Sequence, residues 1–156
     1  MIRTILATIR TISVGRAESL QPEIKFDYDQ LVSGPVKDED VEVAVPEVWR
    51  STLRAIVDSL VRRDAVLSIG LPSVDPLSED DTQRCLQAIA DYGDATLIPL
   101  PDEAWRTSVA LWYGDRWKCL VDLWIEKEGR SDLVLDVDVF ESAPGYRFCV
   151  HSVYVP

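Results

Sequence analysis

From Thr107 onward, apolar side chains fall at every second position. Thr107, Val109, Leu111 and Tyr113 alternate with Ser108, Ala110 and Trp112. Trp117, Cys119, Val121, Leu123 and Ile125 alternate with Lys118, Leu120, Asp122, Trp124 and Glu126. Leu133, Leu135, Val137 and Val139 alternate with Val134, Asp136, Asp138 and Phe140, and Tyr146, Phe148, Val150 and Tyr154 come next. A period of two marks strands with one covered face. The joints "YGDRW", "EKEGRSD" and "SAPGY" are rich in turn residues. Four strands joined by such short turns predict an antiparallel meander.

Upstream the apolar period lengthens. In "VPEVWRSTLRAIVDSLVRR", Val48, Trp49, Leu53, Ile56, Val57, Leu60 and Val61 fall on one broad stripe, which predicts a helix. Pro46 suits its first turn, and Arg62 and Arg63 suit the negative end of its dipole. "SEDDTQRCLQAIADYG" predicts a second helix, capped by Ser78 and closed by Gly93, with Cys85, Leu86, Ile89 and Ala90 inward. The intervening "AVLSIGLPSVDPL" reads as a short strand and a loop. The resulting fold class is α+β, with two helices packed on the more apolar face of a four-stranded antiparallel meander.

The chain divides near Pro46 into an N-terminal extension, residues 1–44, and an α+β domain, residues 45–156. "LVSGPVKDEDVEVAVP" combines Gly-Pro with an acid run and reads as a loop with a short edge strand at 41–45. Ile2, Ile5, Leu6, Ile9 and Ile12 recur at helical spacing, although the Ile and Thr content suits a strand. Arg3, Arg10 and Arg16, with no acid among them, resemble an amphipathic transit peptide. The same pattern suits a first structural element.

Charge changes the picture of partners. The formal net charge is −11 over 156 residues. Such a body repels phosphate backbones, so nucleic acid and anionic membranes are not expected as direct partners, whereas a basic protein is. Cys85, Cys119 and Cys149 are odd in number and far apart, which reads as free thiols of a cytoplasmic protein rather than a disulfide frame. With no run of 18 apolar residues, no membrane span is expected.

Candidate chemistry is sparse. No phosphate-binding glycine loop, zinc-protease helix or calcium loop occurs, so no cofactor, no metal and no catalytic residue is expected. His151 is the single histidine, and no nucleophile motif accompanies it. Asp136 and Asp138 share a strand face that reads as the solvent side of a half-buried strand. Asp122 stands between Leu120 and Trp124; if that face is covered, it needs a partner such as Arg130 or Arg147. Trp105, Trp112, Asp122 and Trp124 form one candidate pocket lining. The turn "EKEGRSD" offers Glu126, Glu128, Arg130 and Asp132 as partner contacts, or serves only as a turn in which Gly129 supplies a positive φ.

Four stretches, "VPEVWRSTLRAIVDSLV", "LPDEAWRTSVALW", "WKCLVDLWIEKEGRSDLVL" and "YRFCVHSVYVP", carry a resemblance. Across residues 45–156 the chain resembles a bacterial family of small cytoplasmic proteins that contain a domain of unknown function. The shared pattern has LP and W-x-TSV, then LVDLW with EGRSDL, then a closing VYVP. The resemblance implies a compact α+β domain in a bacterial cytosol and transfers no catalytic residue. Small acidic α+β proteins of this kind also resemble immunity partners of toxins in size and charge. The expected function is therefore a non-enzymatic protein-binding module, an immunity or inhibitor protein that occludes a basic toxin. The alternative is a small-ligand-binding or enzymatic domain using the Trp-rich sheet face around Asp122.

Overall fold

The computed structural model describes residues 34–64, 67, 70–94 and 96–156. The reading of residues 2–12 lies outside them, as does most of the strand read in "AVLSIG".

The first helix, α1, is Glu47–Arg62. Its stripe is narrower than the spacing suggested. Trp49, Leu53, Ile56, Val57 and Leu60 are buried, whereas Val48 is 67% exposed. One residue turns a helix by about 100°, so Val48 is carried off the face that Trp49 occupies. Arg63 closes the helix in the left-handed region, its N–H donating to the Leu60 carbonyl. The second helix, α2, is Glu79–Asp91. The Ser78 hydroxyl accepts from the Asp81 N–H, and three acids occupy the first turn, where the helix dipole favours them. Cys85 and Ile89 are buried, but Ala90 is exposed and Ala88 packs on the core instead. A 3-10 turn, Asp102–Arg106, buries Ala104 and Trp105.

Among the described residues five strands form the sheet, one more than the meander expected: β1 Val43–Ala44, β2 Val109–Trp112, β3 Trp117–Ile125, β4 Gly129–Ser142 and β5 Gly145–Tyr154. They lie in chain order, each antiparallel to the next. The added strand is the short edge strand read within residues 41–45, here only two residues paired to Val109 and Ala110.

One sheet face carries the core. Trp117, Cys119, Val121 and Leu123 of β3 are fully buried there, with Leu135, Val137 and Val139 of β4 and Phe148, Val150 and Val153 of β5. Trp49 of α1 is the central contact. Its ring lies edge-on to Trp117 at 5.3 Å, to Tyr146 at 5.5 Å and to Phe148 at 6.5 Å. Such aromatic pairs add to the large apolar area that each ring removes from water. Residues 34–44 also touch this body. The Trp117 indole donates to the Val36 carbonyl at 2.8 Å, and Lys37 pairs with Glu141 at 2.8 Å.

The opposite face carries Val109 and Leu111 of β2, then Lys118, Leu120, Asp122 and Trp124 of β3. Beside them stand Val134, Asp136 and Asp138 of β4 and Cys149, Ser152 and Tyr154 of β5. None of the described helices is long and apolar enough to cross a membrane.

Candidate functional site

The β3–β4 hairpin is not a plain turn. Asp122 pairs with Val134, but two residues further along Trp124 pairs with Arg130, so Ser131, Asp132 and Leu133 together oppose Leu123. A bulge of this kind leaves ladder groups without partners. Buried Ser131 supplies them: its hydroxyl donates to the Leu123 carbonyl at 2.8 Å and accepts from the Leu133 N–H at 3.1 Å. The excess chain pushes Asp132 outward, where its N–H donates to the Tyr92 hydroxyl at 3.2 Å. Tyr92 ends α2, and the same hydroxyl reaches the Glu128 carboxylate at 3.4 Å. On the other side, the Glu126 N–H donates to the Thr96 carbonyl at 2.9 Å. Gly129 has φ 82 and lies beneath the Trp124 ring, a conformation that a side chain would strain. Glu126, Glu128, Arg130 and Asp132 are all exposed on this braced support.

Beside the bulge lies a cavity of about 280 Å³, lined by Asp122, Arg130, Ser131, Asp132, Val134, Val155 and Pro156. The Asp122 side chain is only 20% exposed, and its nearest cation, Arg130 Nη1, stands 3.8 Å away. Its backbone N–H is held by the Ser108 hydroxyl at 3.0 Å. Its carboxylate accepts no hydrogen bond among the described residues. Arg130 is thus the partner the sequence offered, at ion-pair rather than hydrogen-bond distance.

The structure does not gather the tryptophans around Asp122. Trp105 sits in the 3-10 turn beneath the guanidinium groups of Arg50 and Arg54. Trp112 packs on Trp117 at 4.5 Å, with Lys37 over its ring. Trp124 is on the sheet face with Asp122 but covers Gly129. None of the three lines the cavity beside Asp122.

A second polar cluster escaped the sequence. Strand alternation places Asp138 at solvent, but it is only 4% exposed. Its Oδ2 accepts from Arg116 Nε at 2.9 Å and meets His151 Nε2 at 2.7 Å. Lys118 Nζ lies 3.2 Å from Oδ1 and bonds Asp136 at 2.7 Å. His151 arrives there because β5 carries a bulge, an extra residue between the partners of Asp136 and Val137. Burial pushes the Asp138 carboxyl up, but the hydrogen bonds and charges of His151 and Lys118 outweigh it. The net effect holds it below the usual carboxylate range. Two aspartates alternating with valines opposite Lys118 were the available signal; no pattern in the chain announces the bulge.

Burial pushes the thiols of Cys85, Cys119 and Cys149 upward, most strongly for Cys119. Raised thiols are poor nucleophiles. Among the described residues, no group of three or more His, Cys, Asp or Glu side chains is placed to hold a metal.

The family model for a domain of unknown function, DUF7668, matches residues 57–156. No curated protein and no solved structure matches the chain.

Proposed function

The chain belongs to the family DUF7668, a domain of unknown function, and from that premise we propose that it is a non-enzymatic protein-binding module for a basic partner. In its most concrete form it is an immunity or inhibitor protein that occludes a basic toxin. The observation that carries this reading is the braced hairpin. Five charged side chains, Glu126, Lys127, Glu128, Arg130 and Asp132, stand exposed on a backbone tied down by Ser131, Tyr92 and Thr96. A surface fixed before encounter loses little entropy on binding. The net charge of −11 would steer a cationic protein toward it.

One observation favours a small-ligand site instead, namely the cavity beside Asp122. Its volume of about 280 Å³ falls just under the ~300–1,000 Å³ of small-molecule sites. The aromatic side chains such a site would use are elsewhere, so protein binding is the better supported reading.

The test is co-expression with the product of each flanking gene, with growth and complex formation measured. A basic, growth-inhibiting product that this chain binds and neutralises supports the reading. Failure to bind any basic flanking product would count against it. With such a partner in hand, Arg130→Glu should leave the melting temperature nearly unchanged and weaken binding by more than about 1 kcal/mol. Unchanged affinity would return the hairpin to being a turn, and a lowered melting temperature would make Arg130 a brace.

A further inference from the structure

We propose that the cavity beside Asp122 is a socket for one guanidinium side chain of the protein partner, held by Asp122 and Asp132. The inference rests on the protein-binding reading and specifies its contact.

Three features of the cavity carry it. First, Asp122 is largely withdrawn from water, yet its carboxylate takes no hydrogen bond among the described residues and has one cation at 3.8 Å. In the neighbouring cluster Asp136 is bonded at 2.7 Å and Asp138 Oδ2 at 2.7 and 2.9 Å, while Asp138 Oδ1 has Lys118 at 3.2 Å but no hydrogen bond. A carboxylate offers about four acceptor sites, and withdrawal from water without filling them is costly. Asp122 lines the cavity. Second, the lining has two carboxylates, Asp122 and Asp132, against the single cation Arg130. The Asp132 backbone is tied to Tyr92, and Asp132 is an exposed member of the lining. The site therefore favours an entering cation. Third, Val134, Val155 and Pro156 complete the lining with apolar surface. Apolar walls suit the methylene stem of a long basic side chain. A guanidinium fits better than an ammonium, because its planar fork can fill both oxygens of one carboxylate.

Arg130 is then the resident stand-in. It is 56% exposed and reaches Asp122 without a hydrogen bond. An entering arginine displaces it, and its own fork turns outward to the partner.

The probe is acetyl-Gly-Arg-Gly-amide, titrated into the nitrogen-15-labelled full chain and followed by amide NMR. The lysine tripeptide and the uncharged citrulline tripeptide serve as comparisons. Saturable shifts at Asp122, Ser131, Asp132, Val134 and Val155 are expected with arginine, with citrulline about tenfold weaker. Asp122→Asn keeps the shape and the backbone bond to Ser108. It should weaken the arginine peptide about tenfold with the spectrum otherwise intact. Arg130→Gln should tighten the same peptide several-fold, because it removes the internal competitor; a merely structural Arg130 would not do this. No shift at these residues overturns the proposal. Equal shifts by arginine and lysine scattered over the acidic surface overturn it as well, as does weaker binding by a folded Arg130→Gln variant. If a basic flanking product binds wild type and Asp122→Asn equally, the socket falls and the protein-binding reading stands. If the peptide seats in the socket but no basic protein binds, the socket stands and that reading falls.

Discussion

Asp138 is the residue on which the outer sheet face depends most. Its carboxyl is buried, and three cationic or hydrogen-bonding groups converge on it. Asp138→Asn should cost roughly 2–3 kcal/mol in urea melts at neutral pH, because it leaves partly buried cations without their counterion. The pH dependence has a definite sign. A carboxyl held below its ordinary value in the folded state contributes stability that is full above the unfolded value, about 3.9. That contribution is lost as the pH falls through the lower folded value. The gap between wild type and Asp138→Asn should therefore close below about pH 4, as melts at stepped pH would show. Asp136 is 14% exposed and bonded to Lys118, so Asp136→Ala should cost about 1–2 kcal/mol. Asp122→Asn should stay within about 0.5 kcal/mol, since its ion pair is long and its partner Arg130 is mostly exposed. This ranking reverses the one that strand alternation suggests, in which Asp122 is the structural acid and Asp136 the solvent one. Melts in which Asp122→Asn proves the costliest would mean that the bulges have been placed wrongly.

Among the elements, the β3–β4 hairpin owes its shape to Ser131. Without its hydroxyl, the Leu123 carbonyl and Leu133 N–H lose their partner in a buried place. Ser131→Ala should therefore destabilise by roughly 1–3 kcal/mol. Amide exchange should show faster opening confined to residues 123–133. Uniform loss of protection across the sheet would mean that the bulge is not a local unit. Tyr92→Phe removes only an exposed brace, and its cost should stay under about 1 kcal/mol. The motif "EGRSDL" thus contains its own repair residue, whereas the second brace comes from the end of α2, some forty positions away in the chain.

At the scale of the molecule, residues 34–44 join the body through the Val36 carbonyl, Lys37 and β1. A fragment comprising residues 45–156 removes all three and leaves the buried Trp117 indole without its acceptor. We expect it to fold, and to be less stable than residues 34–156 by roughly 1–3 kcal/mol in denaturant melts. Equal stability of the two fragments would show that this segment contributes nothing to the core. Limited proteolysis separates the same cases, since a segment held by the Val36 carbonyl and β1 should resist cleavage within residues 36–44.

Local patterning by itself determined the two helices, the meander and the inner face of β3 and β4; in β2 and at the end of β5 the structure turns Ala110 and Val153 inward and Val109, Leu111 and Tyr154 outward. The physical reason is that periods of 3.6 and 2 are set by backbone geometry and hold wherever one face must leave water. It also located the β1 edge segment and marked Asp122 as a carboxylate in need of a partner, with Arg130 among the candidates. Tertiary structure alone decided how the outer face is populated. Two bulges, one at Ser131–Leu133 and one at His151, shift the register of the strand beyond them, and a single extra residue moves a side chain to a different neighbour. That is why His151 joins Arg116 and Lys118 over the buried Asp138. Alternation reports which face a residue takes within one strand; the partners across strands depend on register, which no single strand encodes.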